Sequence, residues 1–309
     1  MAFASSSEAR IARVVEATFG TTPATPTFST SRVTGGGLRT SKTTATSNEL
    51  RADRNVADEI MLGQDVSGSL PFEMSYGSFD DLIEAALFGT WTGNVLKNGT
   101  TRKSFTFEET LELGATDSFS RFTGVMVNTM ALAIERRGIV TGSFGLMGQK
   151  EVLANAIVAG ATYTAASAEQ VMNSSSHVLA LAVAGLATPA RMSRLNFEVN
   201  NGLRTRPVVG SLYTEEFGTG RCEVTGTLEA YFESNELYQK VLDHGGGSLT
   251  ATIGAAANKK YTIAFPKIIF GDGARQIGGN TDDVMVSIPW RAVFDTTEAC
   301  SVKITRAVA

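Results

Sequence analysis

A chain of 309 residues, 43% hydrophobic and 19% charged, has the composition of a folded globular protein with room for two domains. Its 27 basic and 31 acidic residues leave a net charge of −4, and residues 1–150 already hold 14 and 16 of them, so neither half is a basic module built to grip phosphates. The uncharged tract 152–168 is too short and polar to span a membrane, so no membrane insertion is expected. Ser5, Ser6 and Ser7 precede Glu8 and Arg10 with no signal-peptide core, and the only two cysteines, Cys222 and Cys300, read as thiols rather than a disulfide. A soluble protein folded in a cytoplasm is expected.

In chain order, residues 1–30 are rich in Ala, Ser and Thr, and the prolines of GTTPATPTF end any helix by Phe19. The segment reads as an extended N-terminal arm, with a possible short helix over 8–19 that places Ile11, Val14, Val15 and Phe19 on one side. A first strand with the glycine run 35–37 follows. The polar stretch SNELRADRNVADEIMLGQD, with charges alternating in sign, is either a solvated loop or a surface made to meet a copy of itself.

From 66 to 76 the even positions Val66, Gly68, Leu70, Phe72, Met74 and Tyr76 alternate with Ser67, Ser69, Pro71, Glu73 and Ser75. That period of two predicts a strand with one dry face and one small, polar face. Phe79, Leu82, Ile83, Ala86 and Leu87 then fall at helical spacing, with Ser78 placed to cap the helix and Gly89 to close it. Strands are predicted at 105–109, 124–135 and 139–147, the last two joined by a turn at Gly138. Residues 153–188 are small, largely uncharged and aperiodic, and read as a linker or extended excursion.

The pattern then returns. Cys222, Val224, Gly226, Leu228, Ala230 and Phe232 alternate with Glu223, Thr225, Thr227, Glu229 and Tyr231, before a helix capped by Ser234 or Asn235 and carrying Leu237, Val241 and Leu242. Strands at 249–253, 261–270 and 284–294 complete the copy. VSGSL at 66–70 and VTGTL at 224–228 lie 158 positions apart, and GLRT occurs at 37–40 and 202–205, an offset of 165. The expected organisation is an arm at 1–30, a domain at 31–152, the excursion at 153–188 and a second domain at 189–309, each domain burying its own core. Pro71, Pro266 and Pro289 sit inside strand patterns, which is tolerated at edges, bulges and strand ends.

Site chemistry is missing. His177, in NSSSHV, and His244, at a helix end, have no ligand at metal spacing and read as surface histidines; GxSxG, HExxH, a P-loop and CxxC are absent. Adjacent carboxylates such as Asp80 and Asp81 face apart and make no acid and base pair. No enzyme, cofactor or metal site is expected.

The stretches SNELRADRNVADEIMLGQDVSGSLPFEMSYGSFDDLIEAAL and FTGVMVNTMALAIERRGIVTGSFGLMG, with EATFGTTPATP at 16–26, resemble the major tail tube proteins of bacteriophages with long, non-contractile tails. RMSRLNFEVNNGLRTRPVVGS, GRCEVTGTLEAYFESNELYQKVL and VMVSIPWRAVF in the second half resemble a tail tube domain again. The resemblance implies a mainly β fold: two tandem β-sandwich or barrel-like tail tube domains, each with one flanking α-helix, plus the arm and the linker. It implies rings closed by neighbouring sheets and stacked into a tube in the virion, assembled in the host cytoplasm, with double-stranded DNA passing through the lumen without specific binding. Two domains per chain imply a trimeric ring with pseudo-sixfold symmetry. About four strands per domain, ~24 in all, spaced by ~4.8 Å and tilted by ~40°, make a barrel roughly 48 Å across.

Expected partners are further copies of the chain, the tape measure protein, and the tail tip and terminator proteins. Subunit contacts are expected at Phe19, Pro23 and Pro26 in the arm and at Glu49, Arg51, Asp53, Arg54 and Asp58 in the charged segment. Ser67, Ser69, Glu73, Glu223, Thr225, Thr227 and Glu229 are expected to face the lumen. The inner tube of a contractile or tail-like injection system is the alternative, and a glycan-binding β-sandwich adhesin or decoration protein a more distant one.

Overall fold

The computed structural model describes residues 3–114, 116–187, 189–254 and 256–308. After a single 3-10 turn the chain forms β1 (Arg10–Val15), β2 (Thr27–Thr30) and a long hairpin of β3 (Gly37–Thr46) and β4 (Glu59–Glu73). Helix α1 (Asp80–Ala86) leads to β5 (Val95–Lys97), β6 (Phe105–Leu111), β7 (Ser118–Glu135), β8 (Thr141–Gly148) and β9 (Lys150–Ala154). Next come β10 (Thr162–Thr164), β11 (Val178–Val183), β12 (Met192–Asn200), the two-residue β13 (Arg204–Thr205) and β14 (Phe217–Gly218), and β15 (Glu223–Tyr231). Helix α2 (Asn235–Leu242) precedes β16 (Gly246–Ile253), β17 (Tyr261–Phe270), β18 (Ala274–Gln276), β19 (Met285–Ala292) and β20 (Lys303–Arg306). The protein is mainly β, as its period-two stretches predict.

One antiparallel sheet runs through the whole molecule in the order β3-β4-β8-β7-β12-β15-β19, its eighth place filled by the end of β17 and then β18. The pairing order β3-β4-β8-β7 recurs as β12-β15-β19-β17/β18. Val66 stands opposite Gly148 and Val224 opposite Ala292, so VSGSL and VTGTL hold matching places. The two GLRT stretches do not. Leu38 faces Gly68 whereas Phe197 faces Gly226, so residue 38 corresponds to 197, and Leu203 lies in the turn beyond β12.

A second layer covers the dry face of this sheet. On one side it is β9-β7-β6-β1-β2-β10, with the first half of β7; on the other it is β11-β16-β17-β20-β5. β7 passes from one layer to the other at Gly124, whose φ of 64° and close neighbours, with the Phe19 ring 3.0 Å from where a Cβ would stand, require glycine. Between the layers lie Leu70, Phe72, Phe79 and Phe144 from the first half and Phe197, Phe265, Ile288 and Trp290 from the second. These buried residues form one contiguous core rather than two separate ones.

Residues 10–30 are built into the fold. The helix expected over 8–19 is instead β1, because β6 and β2 flank the segment and supply partners for its backbone. Arg13, 3% exposed, donates to both oxygens of Asp81 at 2.6 and 2.8 Å and to the Ser31 hydroxyl and the Ser78 carbonyl. The stretch 153–188 is likewise threaded through the sheets by β10, parallel to β2, and β11, against β16. His177 is buried rather than at the surface; its Nδ1 accepts from the Asn173 amide at 3.0 Å and organises that turn.

The helix ends also differ from expectation. Ser78 bonds the Ser75 hydroxyl at 2.6 Å instead of capping α1, which starts from Phe79 without a side-chain cap, whereas Ser234 caps α2 by accepting from the Glu236 amide. Both helices close in a Schellman turn with a left-handed residue that is not glycine, Phe88 at φ 46° and His244 at φ 47°. Gly89 and Gly245 follow it and donate to the Glu84 and Lys240 carbonyls.

Candidate channel-lining face

Cross-strand partners share a face, so the register of the eight-stranded sheet decides which side chains stand together. On β4 the even residues Val66, Leu70 and Phe72 are buried, as is Met74 just past its end, and Ser67, Ser69 and Glu73 lie on the opposite, wetter face. On β15 Val224, Leu228 and Ala230 are buried, and Glu223, Thr225, Thr227 and Glu229 are half-buried on the other side. Ser67 pairs with Met147, which pairs with Met126; further along, Ser143 pairs with Ala131, Ala131 with Glu198, and Glu198 with Thr225. The seven residues expected at the lumen therefore occupy one face of one sheet.

The side chains joining them were not singled out in the sequence, because only register reveals them. β3 adds Arg39, the hairpin Asp65, β7 Thr129, Ala131, Ala133 and Glu135, β12 Arg194, Asn196 and Glu198, and β19 Ser287 and Arg291. Strand alternation in NFEVN and WRAVF was the available signal. The face thus carries six carboxylates, Asp65, Glu73, Glu135, Glu198, Glu223 and Glu229, against three guanidinium groups, Arg39, Arg194 and Arg291. Arg194 is held by Glu135 at 3.1 Å and faces Glu229 at 3.9 Å, and Arg221, just before β15, is paired with Glu223, so carboxylates outnumber guanidinium groups on a hydroxyl-rich surface by a small margin.

The face is concave. A trough of about 1030 Å3 opens on it across six adjacent strands, β8, β7, β12, β15, β19 and the end of β17, with Ala131, Ala133, Ser143, Asn196, Thr225 and Thr227 among its walls beside Glu198, Arg291 and His244. Small side chains at its centre let the backbone surface itself define the curve. Among the described residues no group of three or more His, Cys, Asp or Glu is placed to hold a metal ion.

The residues expected at subunit interfaces divide in two. Phe19 meets Phe217 edge to face at 5.9 Å, Pro26 is buried and Pro23 half-buried, all against their own chain. Glu49, Arg51, Asp53, Arg54 and Asp58 are exposed in the loop at the tip of the β3–β4 hairpin. Arg51 bridges Glu49 at 3.1 Å and Asp53 at 2.8 Å; that bond, with the Asn55 amide, holds the Asp53 carboxyl far below the usual carboxylate range. Beside this tip Ile60, Met61 and Leu62 are exposed, and the Leu212 carbonyl accepts from the Gln64 amide, which brings the exposed Val208 and Val209 alongside.

A strand order that recurs within one continuous sheet, two sheet ends that among the described residues pair on one side only, and a wide concave face make this a β-structural protein. A family model described as phage tail tube protein matches residues 6–292, and the chain belongs to that family. No curated protein matches the chain closely enough to count as a relative. It is a structural component of the virion tail tube, a role that entails self-assembly, and among the described residues no helix is long and apolar enough to cross a membrane.

Proposed function

We propose that three copies of the chain close into a ring with pseudo-sixfold symmetry, that rings stack into the tail tube, and that the concave sheet face, with its carboxylates and hydroxyls, lines the lumen through which double-stranded DNA passes. The observation that carries this reading is the concave face itself, continuous over eight strands and backed by a buried core. Each chain supplies two four-strand units, which correspond to the tube domains at 31–152 and 189–309, so three chains supply six. A closed ring of this kind uses heterologous contacts.

The chemistry suits release rather than retention. Every Lys or Arg contact to DNA phosphate would add a salt-dependent, sequence-independent affinity, and carboxylates with small hydroxyls supply none. Before DNA passes, the same lumen would house the tape measure protein, and the terminal rings would meet the tail tip and terminator proteins. We assign ring-to-ring contacts to the hairpin tip 47–62, because Phe19 and Pro26 are packed within their own chain while the tip carries exposed charge and apolar surface together.

Glu73→Lys with Glu229→Lys tests the lumen assignment. Tubes should form as in the wild type, and DNA ejection should slow most at low salt, where screening is weakest. Double-mutant particles that eject at the normal rate in low salt would exclude it.

A further inference from the structure

Inside each chain, the second half of β7 meets β12 edge to edge, with Thr129 opposite Asn200, Ala131 opposite Glu198 and Glu135 opposite Arg194. The strands in matching places at the two ends of the eight-stranded sheet, β18 and β3, each pair with one strand only among the described residues, and on β3 the Leu38 amide is held by the Glu109 carboxylate, which a docking strand displaces. We infer that β18 of one copy docks on β3 of the next in the same antiparallel register as β7 on β12, with Ala274 opposite Arg39 and Asp272 opposite Ser41. This rests on the ring reading above and specifies which edges meet and how.

The register follows from pairings already described. Ala131 is bonded on its other side to Ser143, which faces Pro71; Ala274 is bonded to Ser287, which faces Glu229, and 71 and 229 are 158 apart, the offset of the VSGSL and VTGTL stretches. Glu198 faces Thr225 and Arg39 faces Ser67, again 158 apart. Ala274 therefore stands where Ala131 does, and Arg39 where Glu198 does.

Exposure points the same way. Ile134, covered by β12 through Leu195, is 4% exposed, whereas Ile277, in the matching place beyond β18, is 84% exposed with no strand beside it. The docked register sets Ile277 opposite Gly36, against the buried Leu38. On the polar face Arg39 and Asp272, which form no ion pair among the described residues, fall diagonally across the seam and can pair there. Within the chain a second contact clasps the two halves together. β5 pairs with β20, and the Asn98 side chain accepts from the Ser301 and Val302 amides.

Cysteine pairs in polymerised protein test the register, with native Cys222 and Cys300, both free thiols, as the background. Arg39→Cys with Ala274→Cys should cross-link chains at least about tenfold more than Arg39→Cys with Arg275→Cys, because a one-residue slip turns the second thiol to the opposite face. Ile277→Asp should leave the urea midpoint of the monomer unchanged and abolish polymerisation. Tubes that form but cross-link in the shifted pair or in neither, or Ile277→Asp tubes at wild-type yield, overturn the seam while leaving the tube reading intact. Wild-type protein that forms no tubes at all overturns the tube reading instead. If the cysteine variants fail to assemble, a density map of wild-type tubes decides the register directly, and β3 lying on any strand but β18 overturns the inference.

Discussion

Glu16 shows how much the first thirty residues contribute to the folded chain. Only 7% exposed, its carboxylate accepts from the Ser104 and Thr106 hydroxyls at 2.7 and 2.8 Å and from the Gly20 and Gly124 amides, both at 2.9 Å. Glu16→Ala strands four donors, three of them buried, and should cost about 2–4 kcal/mol in urea denaturation; a loss within error of zero would mean the segment is not docked as described. Glu109 makes a second test. Burial pushes its carboxyl above the usual range, the Leu38 amide at 2.8 Å partly offsets that, and Glu151 nearby adds to it. A raised folded pKa gives a stabilising contribution present below the unfolded pKa and lost as pH rises through the folded one. Glu109→Gln, which keeps an oxygen for Leu38, should therefore gain stability over the wild type at neutral pH and lose that advantage in acid. Equal midpoint shifts at both pH values would contradict this. Neither carboxylate was legible in the sequence, because their partners lie up to 108 positions away; the faces of β4 and β15 were, because alternation is a local signal.

At the scale of elements, the helices and the main strands were readable from period alone, and β1, β10 and β11 were not. Arg10–Val15 offers apolar residues at helical spacing, and what makes it a strand is β6 alongside, which no local pattern encodes. The same limit hid β18, three exposed residues that are a strand only because β19 pairs with them. The helix C-termini yield two opposed expectations. His244 is exposed with φ 47°, so His244→Gly should stabilise the protein by about 0.5–1 kcal/mol by relieving left-handed strain. A Cβ on Gly89 would stand 2.2 Å from the Lys97 carbonyl oxygen, so Gly89→Ala should destabilise by about 2 kcal/mol or more. Thermal melts of the two variants moving in the same direction would refute the Schellman description.

On the scale of the whole molecule, the chain is a continuous sheet whose dry side is covered by a second layer and whose other side is concave. The duplication was visible in the sequence as two matching stretches, but the junction of the halves through β7 and β12 was not, since it depends on strands 59 or more positions apart finding a common register. In the ring proposed above, that junction would make the two halves a single arc. Three arcs joined head to tail give the pseudo-sixfold tube, with the concave face inward and the hairpin tips, carrying Glu49, Arg51 and Asp53, reaching toward the next ring. The most direct test is an averaged cross-section of assembled tubes by electron cryomicroscopy. The account expects three chains per ring with Ser67, Glu73, Thr225 and Glu229 on the channel wall; six chains per ring, or these side chains on the tube exterior, would contradict it.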